Sequence, residues 1–450
     1  MYNYVRRFYR SKISDLRSRE MLKNHIKCAL IVSIACAGES AASSFDGDER
    51  EDKSIPVAGT LITPILNFTQ LYDSNVLSAK TDEVNSWLTI IKPSVKLTRE
   101  FGEFGKHNLE LDWQLSLGKY QASEEDDFND QELLGKLNYE INLRHHLMFQ
   151  AGYVNVHEER GSRFSIGRGS ELVRPDTYEE VFGGVQYTFG APTADMRLEL
   201  ELGYLDNNYR SVIEQNINTG EFSDVNATRD RTKENYGGTF YYKIGSATDL
   251  TLEAWNSDIN YDVTINPTEE LSSVENQVMI GVQWEATALT NSFVKIGYKE
   301  KDFDLATRDT FDALEWEAEI LWMPKTYSKV TFSTGRVTEE TNGEGYFFND
   351  DIQGLADVIE GTSNAINWRH EWQERLSSKI TYAVNKDVYK GATGTIRVDR
   401  NSGLSASLYY DMSYWLSFSL DYTVNEREST RDFLIYDRQL VALGVRMALF

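Results

Sequence analysis

The feature that most restricts this chain is a strict alternation of apolar and polar residues between Leu109 and Leu117. The odd positions carry four leucines and Trp113, and the even positions carry only polar residues. An extended strand with this period has one apolar and one polar face, whereas a helix would scatter the leucines around its circumference. The run is about 9 residues long, which is the length that crosses a bilayer as a tilted strand.

About 18 segments of this kind follow one another after Val57, and the connections between them alternate between short and long. Gly245–Asp249 is an example of a short connection, and the segment after it ends in the long connection Asp262–Glu275. Bacterial outer-membrane barrels have an even number of strands, short periplasmic turns and long outer loops. The sequence therefore predicts an all-β fold over residues 57–450, a transmembrane antiparallel β-barrel of about 18 strands with short periplasmic turns and long extracellular loops.

In two segments, the alternation of apolar and polar residues and the intrinsic helix propensity of the residues favour different structures. Asp312–Trp322 and Met196–Leu202 are built from residues that favour helices. In both, however, apolar residues alternate with glutamates, and a helix would place charge on every side. We predict that both segments are strands.

Composition agrees with strands that cross a membrane and excludes helices that do so. No apolar run approaches the roughly 18 residues that a membrane helix needs. A mean hydropathy of -0.47 is compatible with a barrel, because half of each strand faces a polar interior. Aromatic residues make up 12% of the chain, as expected if they form belts at the membrane interfaces.

The N-terminus has the pattern of an export signal. Positive charges precede an apolar core from Cys28 to Ala37, and small residues follow up to Ala42. We predict a signal peptide over residues 1–42, with Met21 as a second candidate for the start. Residues 43–56 then form a short periplasmic tail. The mature protein is expected to lie in the outer membrane of a Gram-negative bacterium.

Cleavage at this position changes what the mature chain can do. Both cysteines, Cys28 and Cys36, are removed, so disulfides, thiol catalysis and cysteine metal sites are excluded. The segment carries 8 Lys/Arg and 3 Asp/Glu, so the net charge falls from -24 to -24 - 5 = -29. Nucleic-acid binding requires a basic surface and is therefore not expected.

If the leucines face lipid, the charged residues between them face the interior. Charge on the lipid face would cost about 2–4 kcal/mol for Lys or Arg at the midplane. Two interpretations stay open, a hydrated channel and a barrel wall cross-linked by its own charges. Val156–Thr177, Asp206–Arg231 and Val337–Gly361 are candidate plugs. The predicted lumen-lining residues are Glu110, Asp112, Lys136, Glu140, Arg197, Glu199, Glu201, Lys295, Glu315, Glu317, Glu319, Arg369 and Glu371.

Aromatic residues near the strand ends predict belts at the two membrane interfaces. A track on which sugars stack is the alternative interpretation of the same residues. The candidates are Trp87, Tyr153, Tyr204, Tyr261, Trp284, Trp322, Trp372 and Trp415.

The sequence offers no sign of enzyme chemistry. It has no nucleophile elbow, Walker loop or dinucleotide fingerprint, and Gly167–Ser170 lacks a strand-to-helix context. The adjacent pair His145 and His146 points to opposite faces, whereas two metal ligands must share one. We predict no catalytic residues, no metal site and no cofactor.

Three short motifs give a resemblance. They are Tyr72-Asp73-Ser74-Asn75-Val76, Arg144-His145-His146-Leu147 and Thr188-Phe189-Gly190. With them, the chain from Val57 to Phe450 resembles the putative beta-barrel porin 2 family of outer-membrane barrels. Members of this family are often encoded in loci for exopolysaccharide or capsule export. The resemblance implies a barrel that exports a polysaccharide with a periplasmic export protein, and it supplies no catalytic residues. A general porin and a plugged barrel that binds surface glycan are the alternatives.

The expected partners follow from the location. They are outer-membrane lipid and lipopolysaccharide, a polysaccharide substrate and a periplasmic export protein. The outer-membrane assembly machinery is expected to recognise the C-terminal strand, which ends in Phe450.

Overall fold

A computed structural model describes residues 54–162, 165–167, 169–191, 193–211, 213–215, 222–224, 226–262, 270–287, 290–341, 356–391 and 394–449. The predicted signal peptide and the terminal Phe450 lie outside these residues, so both predictions stay predictions. Ile55–Val57, at the boundary between predicted tail and barrel, forms a short strand that pairs with Thr60–Ile62. No helix among the described residues has the length and apolarity to cross a membrane.

The described residues form strands almost throughout. Their bounds are β1 Ile55–Val57, β2 Thr60–Asp73, β3 Ser86–Phe101, β4 His107–Tyr120, β5 Phe128–Asn142, β6 His145–Glu158, β7 Asp176–Phe189, β8 Met196–Tyr209, β9 Ile213–Gln215, β10 Phe222–Asp224, β11 Arg231–Gly245, β12 Thr248–Tyr261, β13 Ser273–Thr287, β14 Thr290–Phe303, β15 Phe311–Lys325, β16 Ser328–Glu339, β17 Val358–Gln373, β18 Leu376–Gly391, β19 Gly394–Ser413, β20 Leu416–Ser429 and β21 Tyr436–Ala448.

Eighteen of these strands close into one antiparallel barrel. Each long strand pairs with the next along the chain, β8 pairs with β11, and β21 pairs with β2 to complete the ring. β1 is an extra strand beside the start of β2, and β9 and β10 form a small separate hairpin. The predicted barrel of about 18 strands is confirmed.

The connections differ at the two ends of the barrel. Two-residue turns such as 143–144 and 326–327 lie at one end, and longer connections such as 74–85 and 121–127 lie at the other. One connection departs from the predicted alternation. β18 ends at Gly391 and β19 begins at Gly394, whereas the alternation predicts a long connection at this position.

The alternation fixes which side chains point inward. On β4, Ser116 and Tyr120 are buried on one face, whereas Leu111 and Trp113 on the other face are 38% and 39% exposed. A closed sheet crowds the side chains on its concave face and leaves those on its convex face open to lipid. The apolar residues therefore cover the outside. The two glutamate-rich segments follow the same period inside β8 and β15, so the strand prediction for both is confirmed.

Candidate functional site: the barrel interior and its outer mouth

The strand register shows where the thirteen predicted lumen residues lie. Glu110 is directly opposite Lys136, Glu199 is opposite Thr239, and Lys295 is opposite Glu317. Traced from strand to strand, these pairings put all thirteen on the face that Ser116 and Tyr120 share, which is the interior. Their role as the lining of a solute path stays a prediction.

One part of the interior, on β4 and β5, is open. Asp112 and Leu134 are directly opposite each other about midway along their strands, and Leu134 is 42% exposed although it faces inward. Asp112 and the nearby Glu132 are exposed as well. We call these three residues the open wall. Beside them, Glu110 lies 3.1 Å from the amine of Lys96.

Across the barrel, the interior faces of β12–β16 are packed with ion pairs. The Nζ atom of Lys295 lies 2.8 Å from Glu253, and that of Lys299 lies 3.3 Å from Glu275. Glu253 and Glu275 are 4% and 5% exposed. We call this region the ion-paired wall, and its buried carboxylates and amines neutralise one another.

Lys301 extends this wall toward the long loops. It is fully buried, its Nζ atom lies 3.3 Å from Glu275, and it also contacts Glu340. The hydroxyl of Tyr261 donates a hydrogen bond to the same Glu340 at 3.0 Å. Tyr261 is directly opposite Arg231 on the interior face, so its ring does not belong to an outer aromatic belt, in contrast to the prediction.

The seven other predicted belt residues do not share this position. Trp87, Tyr204, Trp322 and Trp372 are 44–54% exposed. Trp87 packs on Tyr72 with ring centroids 5.4 Å apart. Trp284, Trp322, Trp372 and Trp415 lie close to the short turns, Trp87 lies at the long-loop end, and Tyr153 and Tyr204 lie between.

At the long-loop end, the interior changes from polar to apolar near the closure of the ring. Leu71, Leu88 and Leu440 are buried there on the inward faces of β2, β3 and β21, together with Ile90, Tyr120 and Ala442. We call this the seam wall. Val76 and Leu77 complete the same cluster, at 3% and 5% exposure, although they belong to the connection after β2. Residues 74–85, the mouth loop, therefore fold inward over the seam wall.

A buried ion pair holds the mouth loop at the closure. Arg438 on β21 donates to both carboxylate oxygens of Asp73 at the end of β2, with its shortest contact at 2.6 Å. The same guanidinium donates to Glu159 at 2.8 Å. Asp73 is completely buried and Arg438 is 4% exposed. These contacts tie together the first and last strands of the ring and the connection after β6.

Asn75 shapes the mouth loop itself. Its backbone N–H donates to Asp73 at 2.9 Å, and its side-chain amide donates to the carbonyls of Ala79 at 2.7 Å and Asp437 at 3.0 Å. Its side-chain oxygen accepts the N–H of Ala79 at 3.0 Å. The Tyr72–Val76 motif therefore positions an inward-folded loop.

The described residues of the connection 159–175 pack on the mouth loop and are held by a buried arginine of their own. Gly161 lies so close to the carbonyl of Leu77 that no side chain would fit there. Arg160 donates to both carboxylate oxygens of Asp126 at 2.7 and 2.6 Å and to the carbonyl of Leu172 at 2.8 Å. The hydrogen bonds to Asp126 raise the pKa of the Arg160 guanidinium. Of the three predicted plugs, Val156–Thr177 is the one whose described residues join this cover.

The two other motifs meet at the short-turn end. His145 is directly opposite Phe189, and the N–H of Gly190 donates to the carbonyl of Arg144 at 2.8 Å. Gly190 has a φ of 120°, and a Cβ there would lie 2.7 Å from the carbonyl of Met196. These motifs therefore stabilise neighbouring turns. Among the described residues, no three His, Cys, Asp or Glu side chains converge in a way that could hold a metal ion.

A closed barrel with a charged interior and an inward-folded loop defines the class of protein: this is a porin-like outer-membrane β-barrel. The chain belongs to the putative beta-barrel porin 2 family, whose model matches residues 55–449. None of the curated proteins matches it.

Several solved structures are similar in outline. Pseudomonas aeruginosa OpdO has 13% identity and a TM-score of 0.47, with 88% of this chain and 98% of that chain covered. Acinetobacter baumannii OccAB2 has 14% identity and a TM-score of 0.45, with 86% and 98% covered. A BenF-like porin from Pseudomonas fluorescens Pf-5 has 11% identity and a TM-score of 0.45, with 86% and 99% covered. The barrel topology of this chain rests on its own strand pairing.

Proposed function

We propose that this barrel is a non-enzymatic channel for small hydrophilic solutes. The observation that carries the proposal is the open wall. Asp112, Glu132 and Leu134 face the interior of a closed ring, lie away from both ends of their strands, and are still exposed. Exposure at that position requires a water-filled space inside the barrel, which barrels of this strand number have unless a loop fills it.

The charges that a solute would meet are unequal in the two parts of the interior. On the ion-paired wall, the charges of Lys295 and Lys299 are balanced by buried glutamates. On the open wall, Asp112 and Glu132 are exposed carboxylates. Lys96, directly opposite Asp112, lies 3.1 Å from Glu110, and Lys136 is opposite the same Glu110, so three carboxylates face two amines. The excess of exposed acid favours cations and neutral solutes over anions.

The mouth loop narrows the outer entrance. Its anchors Val76 and Leu77 cover the seam wall, so the path for a solute lies beside this cover, along the open wall. We therefore expect a small conductance in the wild-type channel and a larger one when the loop is released.

Planar-bilayer recording of the purified full-length barrel tests the proposal. We expect discrete current steps and a reversal potential that shows cation preference in a salt gradient. Release of the mouth loop, for example by Leu77→Asp, should enlarge the steps. A folded barrel that shows no steps with or without this substitution contradicts the channel and favours a plugged barrel that binds glycan at its surface.

The resemblance to a porin family that is often encoded in polysaccharide export loci implies a larger cargo. A sugar can stack on either face of an aromatic ring, and three interior tyrosines have one of their two faces covered by arginine. Arg229 lies 3.6 Å from the ring of Tyr209, Arg397 lies 3.6 Å from Tyr389, and Arg197 lies 3.9 Å from Tyr241. These contacts support small solutes over a polysaccharide.

Export with a periplasmic partner protein stays a prediction, and it has a direct test. Deletion of the gene should abolish surface polysaccharide if the barrel is the export path. Unchanged surface staining would contradict the export function and leave the small-solute channel in place. Recognition of β21 by the assembly machinery also stays a prediction, which truncation of the terminal residues and measurement of insertion would test.

A further inference from the structure

The outer surface of the barrel is not evenly charged at its long-loop end. Arg336 on β16 is directly opposite Thr362, which is opposite Lys386, which is opposite Arg400 on β19. One cross-strand row thus carries three cations on the lipid-facing side of four adjacent strands. We call it the basic row. Neighbouring strands lie about 4.8 Å apart, so the row is about 14 Å long.

The position of the row along the strands places it above the apolar band. On β18, the outward residues before Lys386 are Ile380, Tyr382 and Val384, and on β19, the apolar band ends at Leu404. Arg400 lies four residues beyond Leu404, which is about 13 Å along the strand. Basic side chains cost little near the interface but about 2–4 kcal/mol at the midplane. The row therefore lies at the level of the outer-leaflet headgroups.

The neighbouring acids balance only part of this charge. Glu360 contacts Arg336 and lies 2.7 Å from the Nζ atom of Lys390. Glu428 lies 3.9 Å from Arg400, and both side chains are largely exposed, so this pair is weak. Among the described residues, Lys386 has no ion-pair partner. Like charges directly opposite each other on a sheet are destabilising, and Lys386 and Arg400 are such a pair.

On the opposite arc of the same rim, the outward charged side chains are negative. On β7–β15, the outward charged positions within the strands at the long-loop end are all acidic, namely Glu179, Asp206, Glu234, Asp258, Glu300, Asp302 and Asp312. The basic row is therefore a feature of β16–β19 that the arc β7–β15 lacks, and an anion at the headgroup level is attracted to the row and repelled by that arc.

We propose that the basic row is a docking surface for the phosphate groups of outer-leaflet lipopolysaccharide. Arginine binds phosphate through two parallel N–H donors, and lysine adds a point charge. A lipid is the expected occupant because the row faces the membrane beside a band of apolar side chains, on which acyl chains pack. The inference requires insertion in the outer membrane but not conduction.

The test compares two pairs of substitutions in the full-length barrel. Lys386→Gln with Arg400→Gln removes two cations of the row. Glu234→Gln with Asp258→Asn is the matched control, because these acids also form a directly opposite pair on the outer face. Folding of each variant is checked by its heat-dependent mobility in gel electrophoresis. Binding of diphosphorylated lipid A and of its dephosphorylated form is then measured by native mass spectrometry in detergent.

We expect the wild type and the control to bind diphosphorylated lipid A equally, and the row variant to bind it about tenfold more weakly, as for the loss of two exposed charge-assisted contacts. The dephosphorylated lipid should bind all three barrels weakly. Equal binding by wild type and row variant would overturn the proposal, as would equal binding of the two lipids. Bilayer conductance of the row variant should equal that of the wild type, so the outcome is independent of the proposed channel.

Discussion

The seam wall and the ion-paired wall face the same interior but are built differently. At the seam, Leu71, Leu88 and Leu440 are apolar and are covered by a loop. Across the barrel, Lys299 and Glu275 occupy equivalent inward positions and bind each other. An inward charged side chain of a barrel needs water or an ion partner, and an inward apolar side chain needs an apolar cover. The seam uses a cover and the ion-paired wall uses partners, whereas the open wall is exposed to water.

The substitution with the largest expected effect removes the ion pair that holds the mouth loop. Asp73→Ala leaves the buried Arg438 without its two-oxygen partner, and loss of one member of a buried pair costs about 3–5 kcal/mol. We expect the free energy of unfolding in urea to fall by that amount. Glu428→Ala removes a carboxylate from the exposed Arg400 pair and should change stability by less than about 1 kcal/mol. Equal effects of the two substitutions would show that the seam contact does not hold the ring.

A second substitution weakens the ion-paired wall without touching the seam. Glu253→Gln keeps the shape of the side chain but removes the charge that lies 2.8 Å from Lys295. We expect a loss of about 2 kcal/mol in the free energy of unfolding, since the group is buried and charge-assisted contacts are stronger than neutral ones. Glu132→Gln on the open wall is the control and should change stability by less than about 0.5 kcal/mol. A wild-type urea curve for Glu253→Gln would mean that this wall is held by packing alone.

The fold could be predicted from the sequence because the barrel is specified by a local period. The alternation of Leu314, Trp316 and Ile320 with glutamates was sufficient to choose strand over helix in β15. Inward and outward faces follow from the same period. The pairing of individual charges, such as Lys301 with Glu275, depends on strand register, which the alternation alone does not fix.

The mouth loop was not among the predicted plugs, for a reason that the sequence partly shows. Trp87 to Ile91 does not alternate cleanly, since Leu88 and Ile90 are apolar on the inward face as well. Apolar residues on both faces indicate a strand covered on both sides. This signal identifies the seam wall but not its cover, because Asp73 and Arg438 are separated by 365 positions.

A third substitution releases the cover directly. Leu77→Asp places a charge in the apolar cluster of the seam wall, where a buried leucine contributes about 1.5–3 kcal/mol. The loop should open at least tenfold more often, so trypsin should cleave after Lys80 at least tenfold faster and single-channel steps should grow. Leu143→Asp in a short turn, where the residue is 75% exposed, is the matched control and should change neither measurement. Unchanged cleavage in Leu77→Asp would mean that the loop is held by Asn75 and Asp73 without the apolar cluster.

The substitution with the smallest expected effect tests whether solutes pass along the open wall or along the ion-paired wall. Asp112→Asn removes an exposed interior carboxylate, so we expect the cation-to-anion permeability ratio to fall about twofold at low salt, where the charge is least screened. Stability should change by less than about 0.5 kcal/mol, because the group is exposed. Glu253→Gln combined with Lys295→Gln should show the opposite behaviour, with reduced stability and unchanged selectivity, since removal of both members of the pair leaves the net charge of the interior unchanged. If this paired substitution changed the reversal potential and Asp112→Asn did not, the solute path would follow the ion-paired wall, and the assignment of the open wall would be wrong.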